Sequence, residues 1–117
     1  MFALSPATKV YLAAGATDLR KGFDGLCAIV EGVLGEAPLS GHIFLFANAT
    51  RTKLKVLVWD GSGLWICAKK LQGGRYAWPV CVEGEGRRVV MNQSELALLL
   101  AGVDLAATER RDWWRRE

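Results

Sequence analysis

Residues 53–70 have the sequence KLKVLVWDGSGLWICAKK. In its first half, Lys53 and Lys55 alternate with apolar residues, which is the pattern of a half-buried β-strand. The sequence Asp-Gly-Ser-Gly at 60–63 is typical of a hairpin turn, and residues 64–70 predict the returning strand. Because a short turn joins antiparallel neighbours, this segment predicts antiparallel pairing in the sheet.

Residues 17–34, upstream of the hairpin, have the spacing of an amphipathic helix. Apolar side chains recur every three or four positions from position 19 onward, so they share one helix face. Thr17 or Asp18 is suited to cap the first turn, and Gly35 is suited to end the helix. This segment predicts a long N-terminal helix.

Two cations, Arg20 and Lys21, fall in the first turn of this predicted helix. The helix dipole disfavours positive charge there, at a cost of roughly a few tenths of a kcal/mol each. Either the two side chains bind an anionic partner, or solvent screens their charge.

Further short elements complete the predicted fold. Strands are expected at residues 9–14, 42–46, 80–82 and 87–91. A second helix is expected to begin at Asn92 or Ser94 and to end at Gly102. We therefore predict an α+β fold: a single domain with a mostly antiparallel β-sheet, one long N-terminal helix and one short C-terminal helix, both helices on one face. The domain is expected to span residues 1–104, followed by a charged, mobile tail at residues 105–117.

Positive charge is concentrated in one part of the chain. Of 117 residues, 51% are hydrophobic and 23% are charged, which is typical of one globular domain and excludes a disordered chain. The net charge is only +3, but residues 48–90 carry eight basic and three acidic side chains, a net charge of +5. The segments on either side each carry a net charge of −1.

Aromatic side chains are interleaved with this basic segment, namely Trp59, Trp65, Tyr76 and Trp78. A basic sheet face with aromatic rings suits a nucleic acid, since cations neutralise phosphates and rings stack on bases. The alternative is that the lysines only solubilise the outer face of the sheet and the tryptophans cover the core. The sequence leaves both interpretations open.

Candidates for catalysis or metal binding are few. The cysteines Cys27, Cys67 and Cys81 are widely spaced without a CxxC motif, and His42 is the single histidine. We expect reduced, buried thiols rather than a disulfide framework or a zinc site. We predict no catalytic residue, no metal and no cofactor. Because no signal peptide and no apolar stretch of membrane-spanning length is evident, we expect a cytoplasmic protein.

Residues 17–26, TDLRKGFDGL, resemble the TDMRKGxDGL signature of the TnpB accessory proteins of insertion-sequence family sixty-six. The segments IFLF at 43–46 and KLKVL at 53–57 resemble the FxFxN and KIKxLxWD motifs of that family. The resemblance covers about residues 6–104. The matched polar, aromatic and proline positions are Asp18, Arg20, Lys21, Asp24, Asn48, Lys53, Lys55, Asp60, Lys69, Lys70, Arg75, Trp78 and Pro79.

The resemblance implies a role in DNA transposition beside a separate, larger transposase. It supplies no catalytic residue, so we expect a non-enzymatic accessory factor that binds DNA at the ends of the element, assembles with the transposase, or both. The predicted nucleic-acid contacts are Arg20, Lys21, Arg51, Lys53, Lys55, Lys69, Lys70, Arg75, Trp78, Arg87 and Arg88. The alternative is a pure protein-interaction module for the transposase with no direct DNA contact. The chain departs from the family pattern at Ala49-Thr50, where relatives often carry extra arginine, and in its tail, which lacks a basic, proline-rich ending.

Overall fold

The computed structural model describes residues 4–101 and the backbone of residues 114–116. In chain order, its elements are β1 (Val10–Ala13), α1 (Phe23–Gly32), β2 (Ile43–Ala47), β3 (Lys53–Trp59), β4 (Leu64–Lys70), β5 (Arg88–Met91), α2 (Gln93–Leu100) and β6 (Trp114–Arg116). The strands form one six-stranded sheet in the order β4-β3-β2-β1-β5-β6. The architecture is therefore α+β.

The β3–β4 hairpin is confirmed with the predicted strand bounds. The two strands pair antiparallel from Trp59 opposite Leu64 to Lys53 opposite Lys70. The side chain of Asp60 organises the turn, because its Oδ1 accepts hydrogen bonds from the backbone amides of the second and third residues after it, both at 2.9 Å. An Asx-type turn of this kind fixes the register of the hairpin.

The sheet is mixed: four of the five strand pairs in the described sheet are antiparallel, and one is a parallel pair that the prediction did not include. β1 and β2 pair in parallel, with Val10 opposite Ile43 and Leu12 opposite Leu45. β5 pairs antiparallel with the other edge of β1. The hairpin pattern could not reveal the parallel pair, because α1 connects β1 to β2 and a crossover of that length permits parallel neighbours.

The predicted long N-terminal helix is wrong, since α1 has only ten residues. Its N-cap is Gly22, which has an extended backbone and makes no side-chain capping bond. Upstream, the Lys21 amide donates to the Asp18 carbonyl at 3.2 Å, which closes a turn that does not continue the helix. The apolar spacing starts earlier because Leu19 packs against the same core from outside the helix. Arg20 and Lys21 therefore precede the helix.

The C-terminal end of α1 lies just before Gly35, the residue predicted to stop the helix. Val33 is the C-cap residue, and the Leu34 amide donates to the Ile29 carbonyl at 3.0 Å. Gly35 then has a φ of +67°, in the left-handed region that favours glycine.

The two helices lie on opposite faces of the sheet, which corrects the prediction that they share one face. Leu26 and Val30 of α1 pack with one set of strand residues, and Leu96 and Leu99 of α2 pack with the other. The central strands explain this, because every residue of β1 and β2 is buried. A strand that is apolar on both sides needs cover on both faces.

The second helix starts at the first of its two predicted caps. The Oδ1 atom of Asn92 accepts the Glu95 amide at 2.8 Å, which satisfies one of the helix's orphan donors. The hydroxyl of Ser94 donates to the same Oδ1 at 2.8 Å. The predicted end at Gly102 lies outside the described residues.

Residues 71–87 contain neither helix nor strand, so the predicted strand at 80–82 is wrong. This segment is tied to the sheet by backbone contacts; for example, the Gly15 amide donates to the Pro79 carbonyl at 2.9 Å. The predicted domain boundary at residue 104 and most of the predicted tail at 105–117 lie outside the described residues, while β6 pairs antiparallel with β5. In the part of the chain that the structure describes, no helix has the length and apolar character needed to cross a bilayer.

Candidate nucleic-acid interface

An open groove lies where the start of β3 and the end of β4 face the segment that follows β1. Its volume is about 730 Å³. It is lined by residues 16–20, 48–49, 53–55 and 68–70. We call this concavity the basic groove.

Five of the predicted nucleic-acid contacts line the basic groove: Arg20, Lys53, Lys55, Lys69 and Lys70. Among its described lining residues, Asp18 is the single acidic one. Lys53 and Lys70 lie directly opposite each other on neighbouring strands, and both are exposed. Like charges in that position repel and destabilise a sheet. A bound anion would offset this repulsion.

Asp18 and Arg20 form an ion pair in the basic groove. The guanidinium donates from Nη2 to Oδ2 at 2.8 Å and from Nε to Oδ1 at 3.0 Å, and the Arg20 amide donates to Oδ1 at 3.0 Å. The side-chain hydrogen bond from Arg20, followed by its amide, holds the pKa of Asp18 well below its ordinary value. Asp18 is therefore ionised at neutral pH and neutralises Arg20, so the net positive charge of the groove depends on its lysines.

Lys55 is held in place by the turn before α1. Its Nζ donates to the backbone carbonyl of Lys21 at 3.2 Å. A carbonyl partner carries no formal charge, so this bond restricts the position of the ammonium group without forming an ion pair. Lys21 itself is exposed and does not line the groove.

Asn48 organises the turn between β2 and β3, beside the groove. Its Oδ1 accepts the amides of Thr52 and Lys53 at 3.0 and 3.1 Å, which fixes where β3 begins. In the same turn, Arg51 has a φ of +59°, which is uncommon for a residue with a side chain. Arg51 lines an adjoining cavity of about 340 Å³ that shares three residues with the basic groove.

Arg87 is bonded within the fold. Its Nε donates to the carbonyl of Ala14 at 2.7 Å, and its Nη2 donates to the carbonyl of Ala16 and to Thr17 Oγ1, both at 3.0 Å. Thr17 is buried, and its amide donates to the Ala47 carbonyl at 2.8 Å. These bonds hold the segment after β1 against the sheet. We therefore assign Arg87 to positioning the groove rather than to contacting a ligand.

Two more predicted contacts have partners in the protein. The Nζ of Lys69 donates to the Leu100 carbonyl at 2.6 Å, at the C-terminal end of α2, where a cation is favoured by the helix dipole. Arg88 forms an ion pair with Glu36, which follows α1. We therefore leave Lys69 and Arg88 out of the proposed ligand contacts.

Trp78 belongs to the core, not to an exposed aromatic surface. It is only 4% exposed, and its indole Nε1 donates to the Ala13 carbonyl at 3.0 Å. A base could not stack on this ring, so we remove Trp78 from the set of proposed contacts. Tyr76 is also buried, and burial raises its pKa. Arg75 is exposed in the same loop, and Pro79 is buried.

The other acidic motif residues support local structure. Asp24 lies in the first turn of α1, where the helix dipole favours a carboxylate. Asp60 accepts the indole N–H of Trp65 at 2.7 Å in addition to the turn amides. That indole hydrogen bond, followed by the amides of Ser62 and Gly63, holds the pKa of Asp60 well below its ordinary value.

His42 and the cysteines are dispersed. The Nδ1 of His42 accepts the Lys9 amide at 3.0 Å, which gives the ring a structural role. Cys27 and Cys67 are half-buried, but Cys81 is exposed, so the expectation of buried thiols is wrong there. Within residues 4–101, no three His, Cys, Asp or Glu side chains form a group that could hold a metal ion.

The family described as IS66 Orf2 like protein matches residues 8–110. The chain belongs to the IS66 Orf2-like family. The resemblance noted in the sequence is thereby confirmed, and it gives this chain a role in insertion-sequence transposition.

Two relatives of this IS66 Orf2-like chain come from Sinorhizobium fredii (strain NBRC 101917 / NGR234). "Uncharacterized protein y4hO" is 38% identical over 96 residues, which cover 82% of this chain and 81% of the relative. "Uncharacterized protein y4jC" is 32% identical over 111 residues, which cover 95% and 92%. No solved structure matches the chain.

Proposed function

We propose that this chain is a non-catalytic accessory factor of transposition that binds the phosphate backbone of duplex DNA in the basic groove. The observation that carries the proposal is the convergence of Lys53, Lys55 and Lys70 on one open concavity. The first and last of these lysines face each other across the hairpin without an acidic residue between them. Phosphates are the ligands that such an arrangement favours.

The lining of the groove favours backbone contacts over base stacking. Its described lining residues include no aromatic side chain, and the nearby Tyr76 and Trp78 are buried. Single-strand binding proteins rely on exposed rings for stacking. A groove with cations and without rings is better suited to a duplex, whose phosphates are its accessible charges.

The test is a fluorescence anisotropy titration of labelled duplex DNA carrying an end of the element, with a scrambled duplex beside it. We expect binding that weakens steeply as salt rises, because each phosphate contact releases a counterion. Because the proposed contacts reach only phosphates, the two duplexes should bind with similar affinity. Absent binding at low salt, or binding that does not depend on salt, would contradict the proposal.

A matched pair of variants locates the contact. Lys53→Glu places a negative charge in the groove. Lys9→Glu makes the same charge change just before β1, whereas the groove is lined by residues that follow β1. Lys53→Glu, and still more its combination with Lys55→Glu, should weaken binding, while Lys9→Glu should leave it nearly unchanged. Equal losses for the two single variants would indicate a diffuse effect of net charge and would refute a local site.

We further propose that the chain associates with the transposase of the same element. The family context supports this association. The two proteins should still co-purify after nuclease treatment has removed DNA. Loss of the complex on removal of DNA would show that the association is only indirect.

A further inference from the structure

A second concavity, the adjoining cavity of about 340 Å³, opens beside the basic groove. Ala16, Asn48 and Ala49 line both concavities, and the two alanines are exposed. Because an alanine side chain is a single methyl group, a chain of phosphates can pass closely over these two residues. The groove and the cavity therefore form one continuous path.

Arg51 is the single charged residue among the described residues that line the adjoining cavity, and it is half-buried. In the described part of the chain, the guanidinium groups of Arg20, Arg87 and Arg88 bond to other residues of the protein. The hydrogen bonds of Arg51 there all use its backbone. Its five N–H donors can therefore serve a ligand in the cavity.

The backbone of Arg51 is strained. Of the described residues other than glycine, only Arg51 has a positive φ, +59°, which costs free energy for a residue with a Cβ atom. Its amide donates to the Asn48 carbonyl at 3.1 Å, and its carbonyl accepts the Tyr76 amide at 2.7 Å. These bonds use backbone atoms alone, so glycine would make them without the strain. The turn therefore does not explain an arginine at this position.

We propose that the adjoining cavity is a second phosphate site, in which Arg51 binds the DNA strand that leaves the basic groove across Ala16 and Ala49. This inference rests on the proposed function, because the strand is the one that the groove lysines bind. Arg51 precedes Lys53 by two residues, so their Cα atoms lie at most about 7 Å apart and one DNA backbone can reach both. A guanidinium donates two parallel hydrogen bonds to a phosphate, which positions the strand more closely than an ammonium group does.

The charges along the path favour a phosphate as the ligand. The described residues that line the adjoining cavity include no acidic side chain, and Asp18, the single acidic one in the groove, is paired with Arg20. A cation with no opposing charge in its cavity attracts an anion. Continuity with the groove favours a DNA phosphate over a separate carboxylate ligand, because one strand can occupy both concavities.

The test compares two variants that lose the same charge at neighbouring positions. Arg51→Met removes the guanidinium from the adjoining cavity and keeps the strained backbone. Arg75→Met is the matched control, because Arg75 is exposed, precedes the Tyr76 amide that bonds to Arg51, and lines neither concavity. In anisotropy titrations of a labelled duplex at low salt, Arg51→Met should weaken binding roughly 10-fold, as expected for the loss of one charge-assisted contact. Arg75→Met should leave binding nearly unchanged.

A third variant, Arg51→Gly, separates ligand binding from a structural role. It should weaken DNA binding as much as Arg51→Met does. It should also raise the midpoint of urea denaturation above that of the native chain, because glycine adopts this φ without strain. A side chain that only supported the turn would give the opposite result, since its removal would lower the midpoint.

Three results would overturn the inference. Equal affinities of Arg51→Met and Arg75→Met, with binding still weakened by Lys53→Glu, would refute the second phosphate site and leave the basic groove in place. A urea midpoint of Arg51→Gly below the native one would assign Arg51 to the stability of the turn. If the native chain does not bind the duplex at low salt, the proposed function and this inference fail together.

Discussion

Replacing Lys70 by methionine should separate the cost of the lysine pair to folding stability from its contribution to DNA binding. Lys70 lies directly opposite Lys53 in the hairpin. Like charges in that position destabilise antiparallel strands by roughly 0.2–1 kcal/mol. Because both side chains are exposed, solvent screens their repulsion and the low end, about 0.3 kcal/mol, applies. Lys70→Met should therefore raise the free energy of unfolding slightly.

The same variant should weaken DNA binding. If Lys53, Lys55 and Lys70 each neutralise one phosphate, the logarithm of the binding constant falls against the logarithm of salt with a slope of about −2.7. That slope corresponds to a roughly 40-fold loss of affinity between about 50 and 200 mM salt. With Lys70→Met the slope should decrease to about −1.8, and the loss over the same range to roughly 12-fold.

Two assays on the same preparation measure both effects. Urea denaturation gives the free energy of unfolding, and fluorescence anisotropy at several salt concentrations gives the slope. Lys9→Met is the control, because it removes one positive charge at a position that does not line the groove. A destabilised Lys70→Met variant, or one with an unchanged slope, would refute the reasoning that the lysine pair is retained for an anion.

Three further variants test the groove, its supporting contacts and the hairpin turn. Asp18→Asn should bind DNA several-fold more tightly, measured by anisotropy, because Arg20 loses the carboxylate that neutralises it; unchanged or weaker binding would speak against this electrostatic assignment. Arg87→Met should lower the free energy of unfolding in urea by about 1–3 kcal/mol, since it removes the guanidinium bonds to the carbonyls of Ala14 and Ala16 and to the buried Thr17, whereas Arg75→Met should change it little; equal effects would be inconsistent with the bonds at Arg87. The carboxyl of Asp60 has a folded-state pKa below its ordinary value of 3.8, so its contribution to stability is present above about pH 4 and is lost as the pH falls through the folded-state value. Acid titrations followed by circular dichroism should show a shallower loss of stability for Asp60→Asn than for the native chain, and identical curves would exclude that role.

The hairpin and its register could be predicted from sequence because local chemistry determines them. The turn at 60–63 places Trp59 opposite Leu64, and counting back from that pair places Lys53 opposite Lys70. The basic groove was therefore partly visible in the sequence. The other wall of the groove could not be predicted, because no local pattern shows that residues 16–20 lie beside the start of β3.

The start of α1 was mispredicted because apolar spacing reports burial but not backbone conformation. Leu19 continues the helical period although it precedes the helix, and the extended Gly22 separates the two. Trp78 shows a different limit, because a ring next to basic residues in sequence can still be buried. Likewise, the Asp18–Arg20 pair needed the turn geometry, since in a helix residues two apart do not face each other.

A nuclear magnetic resonance titration of the isotopically labelled chain with a short DNA duplex tests the proposed interface most directly. Backbone amide shifts report which residues sense the ligand. The predicted result is a set of shifts concentrated at residues 16–20, 53–55 and 68–70 that diminishes as salt rises. Shifts confined to α2 or to residues 80–86, or no shifts at low salt, would contradict DNA binding in the basic groove.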